Sequence, residues 1–96
     1  MEQAIYVGCR EYSYKDPQTG KLYEGYTLYM LQAQNPQFAK GYIPVTLYDR
    51  FNNRQKYPSV SKEFYESHGI DKIKINSKVQ ILFDRNNKLI EFVAAN

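Results

Sequence analysis

The stretch REYSYKDPQTGKLYEGYTLYM, residues 10–30, holds five of the ten tyrosines in a chain of 96 residues. Its centre, KDPQTGK, is turn chemistry: Pro17 presets φ, and Gly20 tolerates a positive φ. Both flanks read as strands. In residues 3–14, Ile5, Val7 and Cys9 alternate with Tyr6, Gly8 and Arg10. In residues 21–32, Tyr26, Leu28 and Met30 alternate with Tyr23, Thr27 and Tyr29. The spacing predicts a long antiparallel hairpin, and the rest of the chain is read outward from it.

AQNPQFAKG breaks the pattern before a third strand, YIPVTLY, residues 42–48. Ile43, Val45 and Leu47 point one way there, and Tyr42, Thr46 and Tyr48 the other. Pro44 has no N–H for a ladder, so an edge or a bulge is expected at that point. A polar loop, DRFNNRQKYP, leads into SVSKEFYESHG, a short helix. Ser61 is its expected N-cap, Glu63 lies in its first turn, Gly69 ends it, and Val60 and Tyr65 have hydrophobic-staple spacing. Val79, Ile81 and Phe83 then mark a fourth strand, DRNNK a turn, and LIEFV a fifth strand. The predicted class is all-β with one short helix, in the order β-β-β-α-β-β, as a single domain over residues 1–96. That order matches the five-stranded OB-fold barrel, whose closure also removes exposed strand edges. An SH3-like barrel is the competing architecture, but it normally lacks the helix.

Hydrophobic residues make up 43% and charged residues 24%, which describes a globular chain rather than a disordered one. No apolar run approaches the ~20 residues of a membrane span. The N-terminal MEQAIYVGCREY has no basic stretch before a long apolar one, so a cytoplasmic location is expected. The single cysteine, Cys9, permits no internal disulfide and no multi-cysteine metal site, and its alternation makes it a small core side chain. His68 falls at the predicted helix end, where a solvated or dipole-stabilised imidazole is the simpler reading than a catalytic base. There is no His/Cys cluster, phosphate-cradling glycine loop or G-x-S-x-G elbow. Asp49 and Asp84 each precede an arginine at a strand end, and turn capping or local pairing accounts for them. The expectation is a binding protein, not an enzyme, with no cofactor and no metal.

The chain carries thirteen basic and ten acidic residues. Four basic residues (Lys40, Arg50, Arg54, Lys56) and one acid (Asp49) fall between Lys40 and Lys56, leaving nine of each sign elsewhere. The whole excess of positive charge therefore sits in one segment, which also holds Tyr42, Tyr48 and Phe51. A solvated basic loop is the plain alternative for this segment.

Parity sorts the strand residues into two sets. Ile5, Val7, Cys9, Leu28, Met30, Ile43, Val45, Leu47, Val79, Ile81 and Phe83 are expected to fill the interior. Tyr6, Arg10, Tyr12, Tyr14, Tyr23, Tyr29, Tyr42 and Tyr48 are expected outside, with Tyr26 and Tyr65 packing on the core or the helix. A single bulge would exchange members between the sets. Tyrosine favours strands without any ligand. The aliphatic set, however, suffices for a core this small, and an aromatic surface patch marks an interaction site. Bases stack on aromatic rings regardless of sequence, and lysine and arginine neutralise phosphates. Single strands expose base faces that duplexes hide. The candidate nucleic-acid contacts are thus Arg10, Tyr12, Tyr14, Lys15, Lys21, Tyr23 and Tyr29 on the hairpin, with Tyr42, Tyr48, Arg50, Arg54 and Lys56 extending the path. Glu11, Asp16 and Glu24 are interspersed with them. The alternative is a small protein-interaction module whose tyrosines form a dimer or partner interface.

In YSYKDPQTGKLYEGYTLYM, GYIPVTLYDRF and KVQILFDRNNKLIEFV, the chain resembles small OB-fold single-stranded DNA-binding proteins of phages and plasmids, including the filamentous-phage helix-destabilising type. The likeness is one of pattern over most of the chain. It implies a protein that coats single-stranded DNA (RNA being left open) during phage or plasmid replication or transfer. It also implies a frequent dimer, a host-cytoplasm location if phage-encoded, and stacking roles for Tyr12, Tyr14, Tyr23 and Tyr29. The chain departs from bacterial-type relatives in its ending, EFVAAN, which has no acidic tail for recruiting partners.

Overall fold

The computed structural model describes residues 2–33 and 40–95, so the pattern break expected across AQNPQFAKG lies almost wholly outside the described residues. Strands β1 (Glu2–Lys15) and β2 (Leu22–Ala33) form the long hairpin. Its turn is closed by the Gly20 N–H donating to the Asp16 carbonyl at 2.8 Å, while the Asp16 carboxylate accepts from the Gln18 N–H at 2.9 Å. A fourteen-residue strand at about 3.4 Å per residue spans roughly 48 Å. The long axis of the molecule is 49 Å, so the hairpin sets its length.

Six further strands follow: β3 (Tyr42–Pro44), β4 (Leu47–Asp49), β5 (Arg54–Lys56), β6 (Ser59–Ser61), β7 (Ser77–Phe83) and β8 (Leu89–Ala94). The main sheet runs β3-β2-β1-β7-β8, with β6 also paired to β2, and β4-β5 is a separate two-stranded ribbon. The protein is mostly β with one short helix, as expected. Among the described residues no ladder joins β8 to β3, so the sheet is open and is not closed into a barrel.

The third expected strand is split. The Val45 N–H donates to the Met30 carbonyl at 2.9 Å, and the chain then leaves β2 for the ribbon. It returns at Pro58, whose carbonyl accepts from the Leu28 N–H at 2.9 Å, and β6 pairs with Gly25–Thr27. One edge of β2 is thus covered twice, with the ribbon looping out between. Alternation in YIPVTLY continues straight through the corner, so period alone could not reveal it. The expected polar loop supplies β5, and β6 takes the first three residues of SVSKEFYESHG, just ahead of the helix. Asn53 takes the ribbon turn at φ +51, a conformation asparagine tolerates.

A bulge sets the faces of the hairpin. Tyr6 pairs with Met30 and Gly8 with Tyr29, leaving Val7 as the extra residue, and Gly8 adopts φ +145 where a side chain would be strained. Before the bulge Ala4 and Tyr6 face inward; after it Cys9 does. Tyr6, expected outside, is instead 3% exposed, with its ring edge-on to Phe92 at 5.4 Å. Ile5, expected inside, takes the opposite face, and Val7, expected inside, is the unpaired residue of the bulge; both are half-buried. Ile43, also expected inside, is exposed, because β3 pairs only at the end of β2.

The core lies on the inner face, where Tyr6, Leu28, Met30, Val79, Ile81 and Phe92 meet Val45, Val60 and Ile70 from the connections. Full burial of each large apolar side chain contributes about 1.5–3 kcal/mol. Helix α1 (Lys62–Ser67) begins as read, with the Ser61 hydroxyl accepting from the Phe64 N–H at 3.1 Å. Six residues cannot hold a helix alone. Tyr65 anchors it by stacking on Tyr26 at 3.7 Å between centroids, its hydroxyl 3.9 Å from the Cys9 sulfur. A one-turn 3₁₀ helix, Ile70–Lys72, then drops Ile70 into the core. No helix of the described residues is long and apolar enough to cross a membrane.

Candidate nucleic-acid interface

The outer face of the hairpin collects what the parity rule left out. Register pairs Arg10 with Thr27, Tyr12 with Gly25 and Tyr14 with Tyr23, placing these side chains and Tyr29 on the face opposite the core. Tyr14 is 57% and Tyr23 42% exposed, with near-parallel rings 6.2 Å apart. Lys21 lies over the Tyr23 ring, its Nζ 4.9 Å from the centroid, a cation–π contact worth about 0.5–1 kcal/mol at such an exposed site.

Tyr12 is half-buried for a local reason. Its ring lies across Gly25, and its hydroxyl donates to the Val60 carbonyl at 3.5 Å. A Cβ at Gly25 would run into that same carbonyl oxygen and stand 2.6 Å from the Tyr12 hydroxyl. Gly25 therefore lets β6 and the Tyr12 ring both close on β2. Tyr29 is also half-buried, because Tyr57 packs edge-on against it at 5.0 Å.

The remaining sequence candidates divide. Tyr42 pairs with Ala33, which puts it on the same outer face as Tyr29, beside a 150 Å³ hollow lined by Ile5, Leu31 and Lys78. Lys15 pairs with Leu22 and alternates to the face opposite Tyr14. It therefore flanks the tyrosine row without joining it. Tyr48, Arg50 and Lys56 stand together on the ribbon, while Arg54 pairs with Asp49 in the ladder and lines no part of the groove beside it.

That groove is the feature sequence reasoning missed. The β4-β5 ribbon faces the β7-β8 turn across two adjoining hollows of about 310 and 230 Å³, which share Leu47, Lys56, Asn86 and Asn87 as walls. Arg50, Lys56, Arg85 and Lys88 line it, against one carboxylate, Asp49. Both nearby acids are committed to their own turns. Asp49 accepts from the Phe51 and Asn52 N–H groups and, at 2.7 Å, from the Asn52 side-chain amide. The Asn52 amide holds its carboxyl below the usual carboxylate range. Asp84 accepts from the Asn86 and Lys88 N–H groups at 2.8 and 2.9 Å. In the sequence, DRNNK marks Arg85 and Lys88 only as turn residues. A turn assignment gives no hint of which other loop it will face.

His68 caps α1, its Nδ1 3.0 Å from the Phe64 carbonyl and its ring stacked on Phe64 at 3.8 Å. Among the described residues no group of three or more His, Cys, Asp or Glu side chains could hold a metal ion. Comparison with protein-family models, curated proteins and solved structures finds no match to this chain.

Proposed function

We propose that this protein is a sequence-tolerant single-stranded DNA-binding protein, a binder rather than an enzyme, built on an open relative of the OB architecture and serving phage or plasmid DNA replication or transfer. The observation that carries the reading is the outer face of the hairpin next to its turn, where Tyr14 and Tyr23 are exposed side by side with a lysine over one ring. Base–aromatic stacking contributes about 1–3 kcal/mol per base and is indifferent to sequence, because every base has a π-face. Arg10 and Lys21 supply phosphate contacts beside the rings. RNA offers the same base faces, so the DNA assignment rests on the pattern resemblance.

The test is a fluorescence-anisotropy titration with labelled single-stranded DNA, single-stranded RNA and duplex oligonucleotides at several salt concentrations. With ten tyrosines and no tryptophan in the chain, quenching of tyrosine emission gives an independent readout of stacking. The expected result is preference for single strands, with log K falling against log salt by about 0.7 for each phosphate neutralised. Absence of binding at low salt overturns the reading.

A second reading, a dimer or partner interface, is favoured by one observation: β8 ends the sheet path with Ile90 and Val93 exposed. An edge strand with apolar residues is a template for pairing. Sedimentation velocity across protein concentration tests the dimer, and a strictly monomeric species would discard it.

A further inference from the structure

We infer that the groove between the β4-β5 ribbon and the β7-β8 turn is a phosphodiester-binding subsite that continues the strand path from the hairpin, with Arg85 and Lys88 as its far wall. The inference rests on the single-strand reading above and extends it to residues on the opposite end of the sheet.

Four features of the groove select an anionic, base-bearing ligand. Arg50, Lys56, Arg85 and Lys88 line it, and its one lining carboxylate, Asp49, is saturated by hydrogen bonds from its own turn. Asp84, at the root of the opposite turn, is likewise spent on backbone N–H groups. Hydrogen bonds fix these two carboxylates without cancelling their charge, so four cations against two acids leave a local balance of +2 in a chain that carries only +3 as a whole. Aromatic rings stand at the rim: Phe51 is wholly exposed, and Tyr48 is held in place by its hydroxyl donating to the Asn53 side-chain oxygen. A roomier depression of about 510 Å³ nearby is lined by Glu2 and Asp84 and no cation, so charge sends a phosphate to the smaller groove.

Continuity comes from Tyr57. It packs on Tyr29 of the hairpin face and also lines the groove with Lys56 and Lys88. A strand leaving Tyr14 and Tyr23 would pass Tyr12 and Tyr29, reach Tyr57, and enter between ribbon and turn. Base faces and phosphates would meet rings and cations in alternation, which is the composition of single-strand channels in general.

The test uses the full chain, with Arg50→Gln and Arg85→Gln combined, and Lys72→Gln, on the exposed 3₁₀ turn, as a control for charge alone. All three side chains are exposed, and circular dichroism checks that folding is retained. Anisotropy is measured with oligothymidylates of increasing length. Short oligonucleotides, held by the hairpin face, should bind the double variant and the unsubstituted protein equally. Long ones should bind the double variant more weakly, with the salt slope reduced by about 0.7 for each phosphate left without its cation. An unchanged slope and affinity for long oligonucleotides overturns the groove, as does an equal weakening by Lys72→Gln. If the unsubstituted protein binds no oligonucleotide at low salt, the single-strand reading fails instead. If Tyr14→Ala weakens binding while the groove variant does not, that reading stands and only the groove falls.

Discussion

Two stacked tyrosine pairs lie on opposite faces of one hairpin, and they have little in common beyond residue type. Tyr26 and Tyr65, on the core side, sit 3.7 Å apart, joining α1 to the sheet beside Cys9. Tyr14 and Tyr23, on the outer side, sit 6.2 Å apart with much of their surface in water. The inner rings have their faces committed to each other and to packing. The outer rings keep faces available. Strand parity, not tyrosine content, decides which role a ring takes, and the bulge at Val7 moves Tyr6 to the inner side.

The sharpest way to separate the faces is to remove a ring from the inner one. Tyr6→Ala deletes a side chain that is 3% exposed and edge-on to Phe92. Truncating a buried aromatic costs about 3–5 kcal/mol, a large share of the stability of a domain this small. Urea unfolding followed by circular dichroism should show a collapsed midpoint. A shift of under about 1 kcal/mol, the range of ordinary non-core substitutions, would mean that Tyr6 is not core and that the register across the bulge is wrong.

Next in size is Gly25→Ala, which tests how the outer face is closed rather than the inner one. The added methyl meets the Val60 carbonyl and the Tyr12 ring together, so β6 must peel from β2 or Tyr12 must swing away. Overpacking of this kind costs about 1–3 kcal/mol, and hydrogen exchange should localise the loss to β6 and the start of α1. Tyr12→Ala in the same background should restore part of the stability, because it removes one of the two obstacles.

A smaller effect comes from pH. Burial, with the Cys9 thiol beside it, pushes the Tyr65 phenol from 10.0 up to about 12. A folded-state value above the unfolded one means the neutral ring is favoured by folding. This contribution is whole below pH 10 and is lost as pH rises through about 12. Alkaline titration should therefore loosen α1 in that window, and Tyr65→Phe should weaken the dependence, leaving the part that comes from Tyr26, the stacked phenol that burial also raises. If helix loosening precedes tyrosinate formation at Tyr65, the docking is not governed by that ring.

Much of this contrast was legible in the sequence, and what was hidden has physical causes. The hairpin, its turn, the Ser61 cap and the β7-β8 turn could be read because each depends on neighbours within a few residues. Tyr12, Tyr14, Tyr23 and Tyr29 could be placed on one face because period two survives from Cys9 onward. Tyr6 could not be placed, since a one-residue bulge leaves no mark in an alternating pattern except Gly8. The corner after Val45 was hidden because Pro44 and Thr46 do not interrupt the alternation. The basic groove lay out of reach for a different reason: Arg50 and Arg85 are brought together by the return of the chain along β2, a long-range event that no local pattern encodes.

The smallest expected change in stability tests the outer pair, and it bears most directly on function. Tyr14→Ala and Tyr23→Ala remove exposed rings that no core residue needs, so each should alter unfolding free energy by no more than about 0.5 kcal/mol. Single-strand affinity should nevertheless fall by about 1–3 kcal/mol per missing stack, and tyrosine quenching should shrink with it. Tyr14→Phe keeps the π-face and should keep most of the affinity, which separates stacking from a hydroxyl hydrogen bond. Should Tyr14→Ala instead destabilise the fold as strongly as Tyr6→Ala, the two faces would be energetically alike. The exposed pair would then be a structural clasp for the hairpin tip, and its availability to a ligand would lose its meaning.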